Sequence, residues 1–138
     1  MDKPKIAPGL FAELDRRRIG WVYTAPGSFF VPAGEVAELT TTFGLTVSDL
    51  FDQAGAYLAV RYQSGALSYE LCDQAVNYLF QLLIHERIQY KDTLFDRVYS
   101  AFDNGEYQHA PDKSDDPESD YTRPQIEAIV HDYSLPDE

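Results

Sequence analysis

The sequence predicts an all-α fold: a single domain over residues 1–138, built as a helical bundle of about five or six helices. Three observations predict it. After Pro32 the apolar residues recur at helical spacing, as in Val36, Leu39 and Phe43. Gly44, Gly65 and the pair Asn104-Gly105 punctuate those stretches where helices would stop. Finally, 138 residues with 44% hydrophobic and 14% aromatic content suit one core, since a chain of this size buries about two thirds of its unfolded surface and is too short for two cores.

Taken in order, Pro4 and Pro8 discourage a helix until the latter can serve a first turn. Residues 9–18 then carry one short apolar face, Leu10, Phe11 and Leu14. Arg16, Arg17 and Arg18 fall in its last turn, where cations complement the helix dipole. Residues 19–31 change character: two aromatic and β-branched runs flank Ala25-Pro26-Gly27, which reads either as a small β-hairpin or as an aromatic-anchored loop. The next helix ends at Gly44. Thr46 or Ser48 caps its successor, whose face is Leu50, Phe51, Ala54, Tyr57, Leu58 and Tyr62. Ser68 opens the longest helix, over residues 68–86, with two apolar stripes. One runs through Tyr69, Cys72, Val76, Leu79, Phe80 and Leu83, the other through Leu71, Ala75, Tyr78 and Leu82. Two stripes imply neighbours on two sides, so this helix is expected at the centre. From about Asp92 a shorter helix presents Leu94, Phe95, Val98, Tyr99 and Phe102. An acidic, irregular segment is expected over residues 106–120. A last helix then runs over residues 121–133, with Thr122 as cap, Pro124 in the first turn, and Ile126, Ile129 and Val130 inward.

Composition narrows function. Cys72 is the one cysteine, so an internal disulfide framework is excluded. Neither a signal-peptide pattern nor a long apolar run is visible, so a cytoplasmic chain without a membrane span is expected. Net charge is −12, and repulsion from phosphates and anionic lipids argues against direct nucleic-acid or membrane binding. That charge is uneven: residues 1–91 hold 10 acids and 8 bases, residues 92–138 hold 13 acids and 3 bases. Such an imbalance is either a solvated face or a docking face for a basic partner, reached by electrostatic steering.

No constellation for catalysis emerges, and the expectation is a non-enzyme without metal or cofactor. His85-Glu86 begins like a zincin helix, but position 89 is Gln. Asp112, Asp115, Asp116, Glu118 and Asp120, with His109 nearby, crowd carboxylates as a calcium loop does. Counted from Asp112, however, position 6 is Pro117 and position 12 is Arg123. Cys72 lies on a buried stripe, where a thiol is inert. His85, His109 and His131 show no spacing that selects an acid–base pair. Most tyrosines suit core edges, whereas Tyr107 and Tyr121 bracket the acidic segment. Asp112, Asp115, Asp116, Glu118 and Asp120, with Tyr107 or Tyr121 as aromatic anchor, are therefore the candidate partner-binding residues.

The run Leu67-Ser68-Tyr69-Glu70-Leu71-Cys72-Asp73, continuing to Asn77-Tyr78-Leu79-Phe80, resembles the start of the main helix in small immunity proteins of bacterial polymorphic and contact-dependent growth inhibition toxin systems. Val98 to Tyr107, Asp116-Pro117, Tyr121-Thr122 and Pro124 with Ile126 resemble the C-terminal half of that group. The resemblance spans roughly residues 67–130 and rests on core and capping positions. It implies an antitoxin-like protein that binds the C-terminal toxin domain of a delivered effector and blocks its active site; it carries over no toxin-contacting residue. Acidic side chains placed where phosphates would lie suit a basic nuclease as that cognate toxin. The alternative is a non-catalytic cytoplasmic helical protein acting through self-association (homo-oligomerisation) or regulatory protein binding.

Overall fold

Each apolar stripe after residue 9 forms a helix in the computed structural model, which describes residues 6–19, 31–107 and 116–136. Six α-helices follow in order: α1 (Leu10–Ile19), α2 (Val36–Phe43), α3 (Val47–Gln63), α4 (Tyr69–His85), α5 (Leu94–Asp103) and α6 (Arg123–Asp132). A 3₁₀ turn (Ala33–Glu35) leads into α2 and a π-helical turn (Glu118–Thr122) into α6. No strand occurs among the described residues. Ile19 is the last residue of α1, and residues 20–30, which would carry the rest of the β-hairpin, lie outside the described residues.

The ends are set by local chemistry. Thr46, Ser68 and Thr93 each accept a hydrogen bond from the backbone N–H three residues on, satisfying a donor that the first helical turn leaves unpaired. Gly44 closes α2 at φ 66°, a left-handed conformation in which glycine has no Cβ penalty. Helix α5 starts at Leu94, two residues after Asp92, because Asp92 is itself left-handed at φ 64° and Thr93 supplies the cap. Asp52 from α3 adds a second acceptor there, taking the Phe95 N–H at 3.0 Å.

The central helix is α3 and not the helix at residues 68–86. Every residue of α3 from Gln53 to Tyr62 is buried, and α3 packs against α2, α4, α5 and α6. Small residues make this possible. A Cβ on Gly55 would sit 3.4 Å from the Phe95 ring and 3.5 Å from its Cα, so glycine lets α5 approach the α3 backbone. Helix α4 instead buries Cys72, Ala75, Val76, Leu79, Leu82 and Leu83, and keeps Asp73, Asn77 and Phe80 only partly covered.

The three consecutive arginines bind within the fold. Arg17 pairs with Glu13 and, at 3.0 Å, with Glu35; Arg18 donates to the Tyr57 hydroxyl at 3.2 Å. Arg61, buried in α3, forms a two-pronged pair with Asp15 and lies 5.3 Å from the Tyr57 ring centroid. These bonds draw the Asp15 carboxyl below its usual range despite the cost of its burial. No helix among the described residues is long and apolar enough to cross a membrane.

Candidate docking site

The acidic segment contains more order than its composition suggests. Its last part, residues 118–120, belongs to the π-helical turn Glu118–Thr122, so irregular structure does not extend through residue 120. The turn is seated by its own polar residues. Asp116 accepts from the Ser119 N–H at 3.4 Å and hydroxyl at 3.1 Å, while the Asp116 N–H donates to Asp120 at 3.2 Å. This is a reciprocal cap of the kind that satisfies orphan donors at a helix start. Thr122 is not the cap of α6, because the chain is already helical there. Its hydroxyl is buried and donates to the Ala101 carbonyl at 2.7 Å.

Glu118 also has an intramolecular role. The Tyr62 hydroxyl donates to its Oε2 at 2.6 Å, and Arg123 approaches it at 3.5 Å. Burial, then the Glu118 carboxylate, push the Tyr62 phenol well above its ordinary range. Of the candidate partner-binding residues, Asp116, Glu118 and Asp120 are thus brought together around one turn, with Tyr121 inside it. Tyr107 is 52% exposed, just beyond the end of α5. Asp112, Asp115 and His109 lie outside the described residues.

A second acidic group, which sequence reasoning missed, sits where α4 meets the end of α5. Asp73 of α4 is hydrogen-bonded to Glu106, and Asn77 joins them, its Nδ2 donating to Glu106 at 3.1 Å and to the Asp73 carbonyl at 2.9 Å. Burial, the bond to Glu106, and the nearby Glu106 and Asp103 charges push the Asp73 carboxyl up to about 7. Asp103 is raised as well, by burial and by Glu106. None of the ion pairs among the described residues includes Asp73, Asp103 or Glu106. Asp73, Glu106, Glu118 and Asp103 all act on the Tyr69 phenol, which burial already raises. The two acidic groups therefore share one region, held around Tyr69, whose hydroxyl donates to the Phe102 carbonyl at 2.8 Å.

Beside these carboxylates lies a ring stack. Phe80 of α4 and Tyr99 of α5 stand 4.3 Å apart at 15°, Tyr90 meets Phe80 edge-on at 5.2 Å, and Phe95 continues the stack beneath Tyr99. Phe80, Tyr90 and Tyr99 are each only partly buried. Asp73, Asn77, Phe80 and Ile84 follow one another at i, i+4, i+7 and i+11 and so share a face of α4. Ile84 is 50% exposed.

Cys72 is buried against the Leu58 carbonyl, and burial drives its thiol upward, away from the nucleophilic thiolate. His85, at the end of α4, and His131, in α6, are exposed. No group of three or more His, Cys, Asp or Glu residues converges as metal ligands among the described residues. Compared with known protein families, characterised proteins and solved structures, the chain finds no match.

Proposed function

We propose that this chain is an immunity-type inhibitor, a non-catalytic cytoplasmic protein that binds and neutralises the C-terminal toxin domain of a cognate delivered bacterial effector, that domain being a basic nuclease. The observation that carries the reading is the gathering of Asp73, Asp103 and Glu106, which no ion pair among the described residues includes, around Tyr69, in a chain whose residues 92–138 hold 13 acids and 3 bases. Self-repulsion of this kind lowers the stability of a chain that folds for its own sake, whereas it steers a basic partner into encounter. The resemblance of residues 67–130 to immunity proteins supports the same reading.

The test begins with the gene immediately upstream. Its C-terminal domain is purified and mixed with the full chain. A stoichiometric complex is expected, with association slowed steeply by salt and with protection of cells that express the toxin domain. Failure to form that complex at low salt refutes the reading. The alternative, a helical protein acting by self-association or regulatory binding, draws on the exposed Ile84 and on the capping roles of Asp116 and Asp120. Sedimentation showing a concentration-dependent oligomer that Ile84→Lys abolishes would favour it.

A further inference from the structure

Asn104 and Gly105, where α5 ends against the π-helical turn, are the one Asn-Gly pair in the chain. Such a pair is open to a spontaneous backbone reaction, because glycine has no side chain to shield its nitrogen. The Gly105 nitrogen attacks the Asn104 Cγ and loses its proton; the Cγ–Nδ2 bond breaks, and the amide leaves as ammonia. Water then opens the cyclic imide at either carbonyl, which leaves aspartate or isoaspartate at position 104. The fold holds the reacting groups away from this path. The Gly105 N–H donates to the Phe102 carbonyl at 3.0 Å, the Asn104 Nδ2 donates to Gln125 of α6 at 3.1 Å, and Asn104 keeps a helical backbone at φ −64° and ψ −19°. Closing the imide requires the Gly105 nitrogen to swing toward the Asn104 side chain, out of this helical arrangement.

The same junction needs its glycine. A Cβ on Gly105 would meet the Thr122 hydroxyl and stand 2.8 Å from the Tyr69 ring, so α4, α5 and the π-helical turn close on this backbone with no room to spare. We propose that Asn104-Gly105 is a self-modification site gated by local opening of the α5 end: the closed junction blocks imide formation, and each opening exposes the pair to it. The reaction is one-way, because the ammonia is lost. Isoaspartate puts an extra methylene into the backbone beside a position where one added carbon already collides, and either product adds a carboxylate between Asp103 and Glu106. The modified junction does not re-seat as before. The contacts that depend on it loosen: Tyr69 to the Phe102 carbonyl, Asn77 to Glu106, and Thr122 to the Ala101 carbonyl. Asn77, the other asparagine, lies inside α4, is followed by Tyr78, and donates its Nδ2 to the Asp73 carbonyl at 2.9 Å, so it serves as an internal control. The proposal goes beyond the inhibitor reading and does not depend on it.

The experiment incubates the full chain and a peptide of residues 98–107 side by side at mildly alkaline pH. Amide loss at each asparagine is read by peptide mapping with mass spectrometry. The peptide should convert at Asn104, and the folded chain at least about tenfold more slowly, since only its open fraction reacts. Gln125→Ala removes the acceptor of the Asn104 amide, and Thr122→Ala removes the hydroxyl that seats the turn. Each should speed conversion of the chain at least about threefold. Urea should speed it too, at concentrations that leave the helical circular dichroism spectrum intact. If Thr122→Ala fails to fold, Gln125→Ala decides. A chain as reactive as the peptide, a peptide that does not convert, or conversion first at Asn77 would each overturn the proposal. So would a parent rate in Gln125→Ala, or conversion confined to urea concentrations that abolish the helical spectrum.

Discussion

Replacing Asp73 by Asn should make the protein more stable at neutral and alkaline pH. The Asp73 carboxyl has its pKa pushed from 3.8 to about 7, by burial first and by Glu106 and Asp103 next. The sign follows from proton binding. Between about pH 4 and pH 7 the folded chain holds a proton that the unfolded chain releases, so stability falls as pH rises through this window and is lowest above it. At about 1.4 kcal/mol per tenfold change in proton affinity, the displacement sets a ceiling near ~4 kcal/mol. Asp73 is only half-buried and Glu106 is exposed, so solvent screening brings the expectation down to about 1 kcal/mol. An asparagine keeps the contact, because its amide donates to the Glu106 carboxylate as the protonated acid does. Urea unfolding followed by circular dichroism at five pH values from about 4 to about 8 measures the effect. The variant should match the parent near pH 4 and exceed it near pH 8. Two parallel stability curves, or a variant weaker near pH 8, would refute the assignment of the repulsion to Asp73.

Leu79 is fully buried on α4, and Leu79→Ala should cost about 2–5 kcal/mol in urea unfolding through the cavity it leaves. Gly105→Ala would place a Cβ against the Thr122 hydroxyl and within 2.8 Å of the Tyr69 ring; a loss of about 1–3 kcal/mol is expected, partly relieved in combination with Thr122→Ala. Glu118→Ala removes the acceptor of the Tyr62 hydroxyl and should cost about 1–2 kcal/mol, although Glu118 lies in an acidic segment.

Helix positions were legible because their signals are local. Thr46, Ser68, Thr93 and Gly44 act on backbone groups within a few residues, and stripes such as Cys72, Val76, Leu79 and Leu83 repeat with the helical period. The centrality of α3 was harder to see. Ala54, Gly55, Ala56 and Ala59 are all buried, yet they contribute little to a hydrophobic stripe; the usable signal was small side chains on every face. The acidic site was legible only where charges adjoin in sequence, as at residues 112–120. Asp73 and Glu106 meet across two helices, and Tyr62 reaches Glu118 over 56 residues. No periodicity within a single element encodes such a meeting. Sequence proximity thus marks the carboxylates that cap a turn and not those that repel one another across two helices.

Two kinds of carboxylate therefore have opposite energetics in one small region. Those of Asp116, Glu118 and Asp120 accept or exchange hydrogen bonds that hold the π-helical turn, so their charge is used by the fold. No ion pair among the described residues includes Asp73, Asp103 or Glu106, and burial together with the neighbouring acids raises the Asp73 carboxyl to about 7. By linkage, a cation brought beside them favours the ionised acid over the protonated one. Tyr69 and Asn77 from α4, with Tyr99 and Asp103 from α5, face the same carboxyl, and none of them supplies positive charge. A cation brought beside these acids should therefore bind more tightly as pH rises through about 7, the same window where the free protein loses stability. The stability that these acids cost the chain and any affinity they lend to a cation follow from one repulsion.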